Sequence, residues 1–156
     1  MITKEELRTR IQNACDTVMA AEAELTEIDS RFGDADHGFT MAKIAKTISE
    51  AVEEGDSIQE MLDNAGCAVM VLNGGSAVPL WNTWLDGMQE GAPEEEEIDV
   101  AGIKAIFAKA FEELDEMSGA KVGDKTMMDA LIPASEAIAA YESGYLQRVS
   151  PEMYDK

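Results

Sequence analysis

Apolar residues recur in steps of three and four along almost the whole chain, and no strand-length stretch alternates apolar with polar. Side chains so spaced share one face of a helix, so the pattern points to an all-α fold. Leu7, Ile11, Ala14, Val18, Ala21 and Leu25 form the first such face; Met41, Ile44, Ala45, Ile48 and Val52 form the second, which Gly55 stops. Ser57 is placed to cap a third helix, with Glu60 completing a capping box; that helix carries Ile58, Met61, Leu62, Ala65, Val69 and Leu72. Asn73-Gly74-Gly75-Ser76 interrupts the pattern. Pro79 then falls in the first turn of a fourth helix, where its missing N–H matters least, followed by Leu80, Trp81, Trp84, Leu85 and Met88. Gly91-Ala92-Pro93 and four glutamates read as a polar linker to a fifth helix carrying Ile103, Phe107, Ala110, Phe111 and Leu114. A sixth is expected from near Asp124 to about Glu142, bent at Pro133, with an irregular tail over 145–156. The expected architecture is one domain over residues 1–156, an antiparallel up-down bundle or barrel of about six helices.

Charge narrows the function. Twelve Lys and Arg stand against 32 Asp and Glu, a net charge of −20, so no basic patch can dominate the surface. The expectation is no nucleic-acid partner and no anionic membrane partner. No apolar run approaches the roughly 18 residues of a membrane span, and the N-terminal stretch lacks the apolar centre of a signal peptide. Cys15 and Cys67 lie in helical patterns without a CxxC spacing. They read as two buried free thiols of a cytoplasmic protein, so thiol and zinc–thiolate chemistry is not expected.

The chemistry concentrates in loops. Asp29-Ser30-Arg31-Phe32-Gly33-Asp34-Ala35-Asp36-His37-Gly38 gathers three carboxylates and the only histidine. Oxygen-only donors suit Mg²⁺ or Ca²⁺. An EF-hand register starting at Asp34 would put Phe39 where glycine is required and Ala45 where the closing glutamate belongs, so that reading fails. A few carboxylates supplemented by phosphate oxygens is the Mg²⁺–nucleotide arrangement. The competing reading is an acidic turn in which one aspartate caps the helix starting near Phe39. His37-Gly38-Phe39-Thr40 would offer backbone N–H groups and a hydroxyl to an anion at that helix start. Asn73–Ser76 could cradle a second phosphate, or be a glycine C-cap followed by a serine N-cap; it lacks the Walker A spacing. Gly123-Asp124-Lys125-Thr126-Met127-Met128-Asp129 opens another helix, with Asp124 a possible N-cap and the methionines available to a core or to a flat base. These loops follow the first, third and fifth helices, so helix parity places all three at one end.

Together, Gly-Asp-Ala-Asp-His-Gly, Gly-Gly-Ser-Ala-Val-Pro-Leu and Gly-Asp-Lys-Thr-Met-Met-Asp-Ala-Leu, in this order and spacing, resemble the nucleotide-binding L subunit or domain of dihydroxyacetone kinases. The resemblance covers about Leu7 to Ala140. It implies a helical barrel with ADP or ATP and a pair of Mg²⁺ ions at one end. Asp29, Asp34 and Asp36 would be the metal ligands. His37, Gly38, Phe39 and Thr40 would border the phosphates; Gly75, Ser76 and Ala77 would form the second phosphate loop. Met127 would touch the adenine, with Gly119 or Ser118 lining the same pocket. The implied reaction transfers the γ-phosphoryl to dihydroxyacetone or a related small keto-sugar held on a K-type partner, which carries the acceptor-side residues. Some members keep ADP as a cofactor recharged by a phosphotransferase-system protein. Association between copies of the chain stays open. Ala77 and Val78 stand where the family usually has a second Ser and a Gly. The family also continues through two further helices, so the barrel is expected to be shortened relative to the family's. A second reading is therefore a noncatalytic Mg²⁺- and nucleotide-binding partner protein that has lost phosphoryl transfer.

Overall fold

A computed structural model describes residues 1–141 of the chain. They fall in two compact units, Met1–Gly119 and the segment from Ala120 onward. In the first unit, β1 (Ile2–Thr3) is followed by α1 (Lys4–Ala20), α2 (Glu22–Asp29), α3 (His37–Ala51), α4 (Ile58–Met70), α5 (Ala77–Gly91), β2 (Glu97–Ile98) and α6 (Val100–Ser118). The second holds α7 (Met128–Ala140). The all-α expectation holds. The first expected helix is two, because the chain breaks at Ala21 and α2 sets out separately, bringing Thr26 and the Glu22 carbonyl against Gly38. The sixth starts at Met128 rather than near Asp124, with Pro133 inside it. Its expected end near Glu142 and the tail over 145–156 lie outside the described residues.

In the first unit α1 and α2 both pack on α3, and α3, α4, α5 and α6 each pack on the next. Between α1 and α3, Gln12 donates to the Ser49 carbonyl at 3.2 Å. Between α4 and α5, the Asn82 amide donates to the Gly66 carbonyl at 3.1 Å. The α5–α6 joint is the tightest. A Cβ on Gly87 would lie 2.6 Å from the Ala110 Cα, and one on Gly91 would lie 2.6 Å from the Ala105 carbonyl oxygen. Thr83 reaches the Met117 sulfur at 3.0 Å. These pairings run in opposite directions along the two helices, so the N-terminus of α5 lies beside the C-terminus of α6.

The core follows the predicted faces. Ile44, Ile58, Met61, Leu62 and Leu114 are fully buried, and Trp84 meets Phe107 edge to face at 6.0 Å; Ile106 is buried although outside the predicted face, and Cys15 is buried where Ala14 was expected. Against this core opens an apolar cavity of about 250 Å³, bordered by Cys15, Ile44, Trp81, Trp84, Met88 and Phe107. Burial pushes the Cys15 thiol up, with the Asp16 charge adding to the effect; Cys67, expected to be buried as well, is instead exposed on α4. The cavity belongs to this apolar core and not to the acidic turn.

The glutamate run is not a loose linker. The Pro93 carbonyl accepts from Gln59 N–H at 3.2 Å, Glu95 from Ile58 N–H at 3.2 Å and Glu96 from Lys4 N–H at 2.7 Å. These donors belong to the first turns of α1 and α4, whose N–H groups have no partner within their own helices. The acidic side chains also sit near two positive helix ends. Beside them β1 pairs antiparallel with β2, Ile2 opposite Ile98 and Thr3 opposite Glu97. Strands of two residues are too short to show an alternating pattern, so the sequence carried no sign of them. Ser57 caps α4 as expected, accepting from Glu60 N–H at 3.1 Å; the Glu60 carboxylate returns its bond to Asp56 N–H, one residue upstream of the cap. Among the described residues no helix is long and apolar enough to cross a membrane.

Candidate functional site

The acidic turn joins α2 to α3. As α2 ends, Phe32 and Gly33 N–H groups both donate to the Asp29 carbonyl, at 3.0 and 2.7 Å, and the chain folds back. Asp36 occupies the N-cap position of α3, yet its side chain makes no cap bond. Oδ2 of Asp29 takes that role from the preceding helix, accepting from the N–H of Asp36 at 3.1 Å and of His37 at 3.3 Å. One aspartate therefore does cap the helix, from seven residues upstream.

Capping does not disperse the other two. One carboxylate oxygen from each of Asp29, Asp34 and Asp36 lies within 4.8 Å of the others, and Asp34 and Asp36 are exposed. The Asp36 carboxyl is held above the usual carboxylate range, first by a hydrogen bond shared with the Asp34 carboxyl and then by the Asp34 charge. Like charges this close favour a shared proton or a bound cation. An all-oxygen donor set fits a hard divalent ion.

The first turn of α3 rests directly on α2. Gly38 is buried, and a Cβ there would lie 2.1 Å from the Glu22 carbonyl oxygen and 2.2 Å from the Thr26 hydroxyl. Thr40 is buried one turn in, and a Cβ on Gly74 would lie 3.1 Å from its methyl group. Lys43, on the next turn, donates to the Asn73 carbonyl. The first two turns of α3 and the Asn73–Ser76 loop are thus in contact. Gly75 has open space around it. Ser76 is exposed at the N-cap of α5 but forms no side-chain cap bond, leaving its hydroxyl outside the helix's own bonding; Ala77 is the first helical residue. Val78 is buried, and its side chain would be 2.7 Å from a Cβ on Gly74.

Gly119 ends α6 in the left-handed region, at φ 62°, with its N–H on the Asp115 carbonyl at 2.9 Å. Since α5 and α6 are antiparallel, Gly119 falls at the end of the bundle that carries Ala77. His37, Gly38, Phe39, Thr40, Gly75, Ser76, Ala77 and Gly119 therefore share one end with the three aspartates, as parity predicts. Phe39 is 61% exposed there and His37 is exposed.

Met127 lies in the second unit, half-buried at the N-cap position of α7. The loop before it is organised by Asp129 and not by an Asp124 cap. Asp129 accepts from Gly123 N–H at 2.6 Å and Thr126 N–H at 2.9 Å, while Asp124 accepts from Lys121 N–H at 2.8 Å. Positive φ at Gly123 (100°) and Lys125 (60°) keeps this stretch out of the helix, which explains the late start of α7. The two N–H bonds, Gly123 first, hold the Asp129 carboxyl below its ordinary range. A depressed folded value means the carboxylate supports this loop above the unfolded pKa of about 3.9 and loses that support as pH falls through the folded value. Amide exchange at Gly123 and Thr126 should accelerate below that range, and Asp129→Asn should show fast exchange without the acid step. Exchange independent of pH, after correction for intrinsic rates, would refute the tie.

Two features escaped the sequence reading. Asp29 as a cap leaves no local signature, since cap and capped residues stand seven positions apart. Lys43 lies one helical turn beyond Phe39 and Thr40, and that spacing was the available sign.

Comparison with known proteins bears on this geometry. Residues 31–155 match the family model described as DAK2 domain. The chain is 34% identical over 122 residues to a D-erythrulose kinase of Mycolicibacterium smegmatis, a match covering 76% of the chain and 21% of that protein. It is 28% identical over 116 residues to the ADP-binding subunit DhaL of PEP-dependent dihydroxyacetone kinase 1 of Listeria innocua, covering 73% of the chain and 58% of that protein. It is 26% identical over 145 residues to the triokinase/FMN cyclase of Mus musculus, covering 91% and 25%. The chain thus spans less than two-thirds of each of these relatives.

Proposed function

Because the chain belongs to the DAK2 domain family, we propose that it is the ADP- or ATP-binding subunit of a dihydroxyacetone-type kinase. In this reading it delivers a phosphoryl group to dihydroxyacetone or a related small keto-sugar held on a K-type partner. The observation that carries the reading is the convergence of the Asp29, Asp34 and Asp36 carboxylates beside a second glycine loop. The family match runs across both compact units, which supports taking residues 1–156 as one functional domain.

Asp29, Asp34 and Asp36 would hold Mg²⁺, a pair of ions by resemblance. When bound, Mg²⁺ neutralises phosphate charge and polarises the transferred group. The chain's own residues bind and orient. The first-turn N–H groups of α3 at Gly38 and Phe39, with the Thr40 hydroxyl and His37, face one phosphate. Ser76 and the open backbone at Gly75 and Ala77 receive another. Gly119, and Met127 by resemblance alone, border the base. No side chain here is assigned to activate the acceptor; that task falls to the partner. The L. innocua relative is named as PEP-dependent and ADP-binding, which favours ADP kept as a cofactor here; its recharging by a phosphotransferase-system protein follows from the resemblance alone. Both cysteines are free, which suits the reducing cytoplasm.

Asp34→Asn tests the metal role. ADP affinity should fall on the order of tenfold to a hundredfold with Mg²⁺ present and change little without it. An equal loss in both conditions, measured by calorimetry, argues against ligation by Asp34. The noncatalytic reading draws on Ala77 and the buried Val78, which leave the second loop a single hydroxyl. Tight Mg²⁺–ADP binding with no transfer to dihydroxyacetone in the presence of the K-type subunit selects it.

A further inference from the structure

Lys43 occupies the seam between the two phosphate-facing loops. Its Nζ donates to the Asn73 carbonyl, at the start of the second loop, and stands 5.7 Å from the ring centre of Phe39, in the first turn of α3. Among the described residues it has no carboxylate partner, in a chain where acids outnumber bases 32 to 12. Arg31, by contrast, is tied to Glu27 at 3.3 Å. An ammonium has three N–H donors, and the Asn73 carbonyl engages one. Lys43 is half-buried, so its stem is held along the helix while the charge stays at the seam.

The site needs such a charge. Three carboxylates and the phosphates of a nucleoside diphosphate carry more negative charge than even a pair of divalent ions cancels. The surrounding chain, at −20, adds to the repulsion. We propose that Lys43 is a phosphate-binding residue of this site, positioned by the Asn73 carbonyl and the Phe39 ring to offer its remaining donors to the β- and γ-phosphates. The inference rests on the nucleotide reading above and adds a residue to it. Anchoring by a backbone carbonyl places the charge without neutralising it, as a carboxylate partner would.

A direct phosphate contact strengthens with phosphate charge, whereas a tie that only shapes the loop does not. The test is calorimetric titration of AMP, ADP and ATP in saturating Mg²⁺ against the unaltered chain, Lys43→Gln and Lys43→Arg. Lys43→Gln should weaken ADP about tenfold and ATP more, leave AMP nearly unchanged and melt close to the unaltered protein. Lys43→Arg should recover most of the ADP affinity, because it keeps the charge and a donor. An equal loss for all three nucleotides, or no loss, overturns the proposal. If Lys43→Gln melts early, the Lys43→Arg series decides: an arginine chain that folds but binds like glutamine also overturns it. Failure of the unaltered chain to bind any of the three overturns the nucleotide reading itself, and this inference with it.

Discussion

Asp29→Asn is expected to keep the turn and lose the ion. The asparagine carbonyl can still accept from the N–H groups of Asp36 and His37, so α3 keeps its cap. Its neutral amide is a poor ligand for a hard cation among two carboxylates, so Mg²⁺-dependent ADP affinity should drop on the order of a hundredfold. Asp29→Ala should lose both, adding roughly 0.5–2 kcal/mol of destabilisation for the missing cap. Paired thermal melts and titrations separate the two roles. Equal melting of the two variants would remove the capping role; full Mg²⁺ dependence in Asp29→Asn would remove Asp29 from the ligand set.

Gly38→Ala should be the most damaging small substitution at this end. The added methyl meets backbone as well as side chain, with the Glu22 carbonyl oxygen at 2.1 Å and Thr26 N at 2.7 Å. Neither can rotate away, so α2 and the first turn of α3 must separate. Overpacking of this kind typically costs about 1–3 kcal/mol, and here the same shift moves the N–H groups that would face phosphate. Gly75→Ala is the matched control. Nothing lies within 4 Å of a Cβ there, so its melt should stay within about 0.5 kcal/mol of the unaltered chain. Indistinguishable melts for the two variants would mean that α2 and α3 do not meet as described.

How much of this was legible beforehand depended on the range of the determining interaction. The faces of α3 to α6 were readable because burial repeats every turn, and Ile44, Leu62, Leu85 and Leu114 sit where the period put them. The gathering of Asp29–Thr40 with Asn73–Ala77 followed from parity alone, since short connections force antiparallel neighbours. The break at Ala21 was not readable, because no Gly or Pro marks it and the close approach of Gly38 lies 17 positions away in the chain. Nor was the role of Pro93–Glu96. Four acidic side chains suggest solvent, while what matters there is their carbonyls, which composition does not reveal. Lys43 belongs to the same class: its partner is a backbone oxygen 30 residues on.

Those carbonyl bonds have a mechanical consequence. They pin the amino-terminal ends of α1 and α4 to the connection between α5 and α6, and the β1–β2 pair locks the same corner. Helices fastened at one end behave like the arms of tweezers: angular play is small at the pin and grows with distance from it. With 13 residues, α4 rises about 20 Å, so a tilt of about 5° carries its last turn, next to the Asn73–Ser76 loop, roughly 2 Å. Such a tilt lies well inside the scatter of roughly 15–20° tolerated in helix packing. The end of the bundle that carries Thr40 and Gly74 can therefore adjust from a fixed base, with the buried layer around Leu62 left nearly undisturbed.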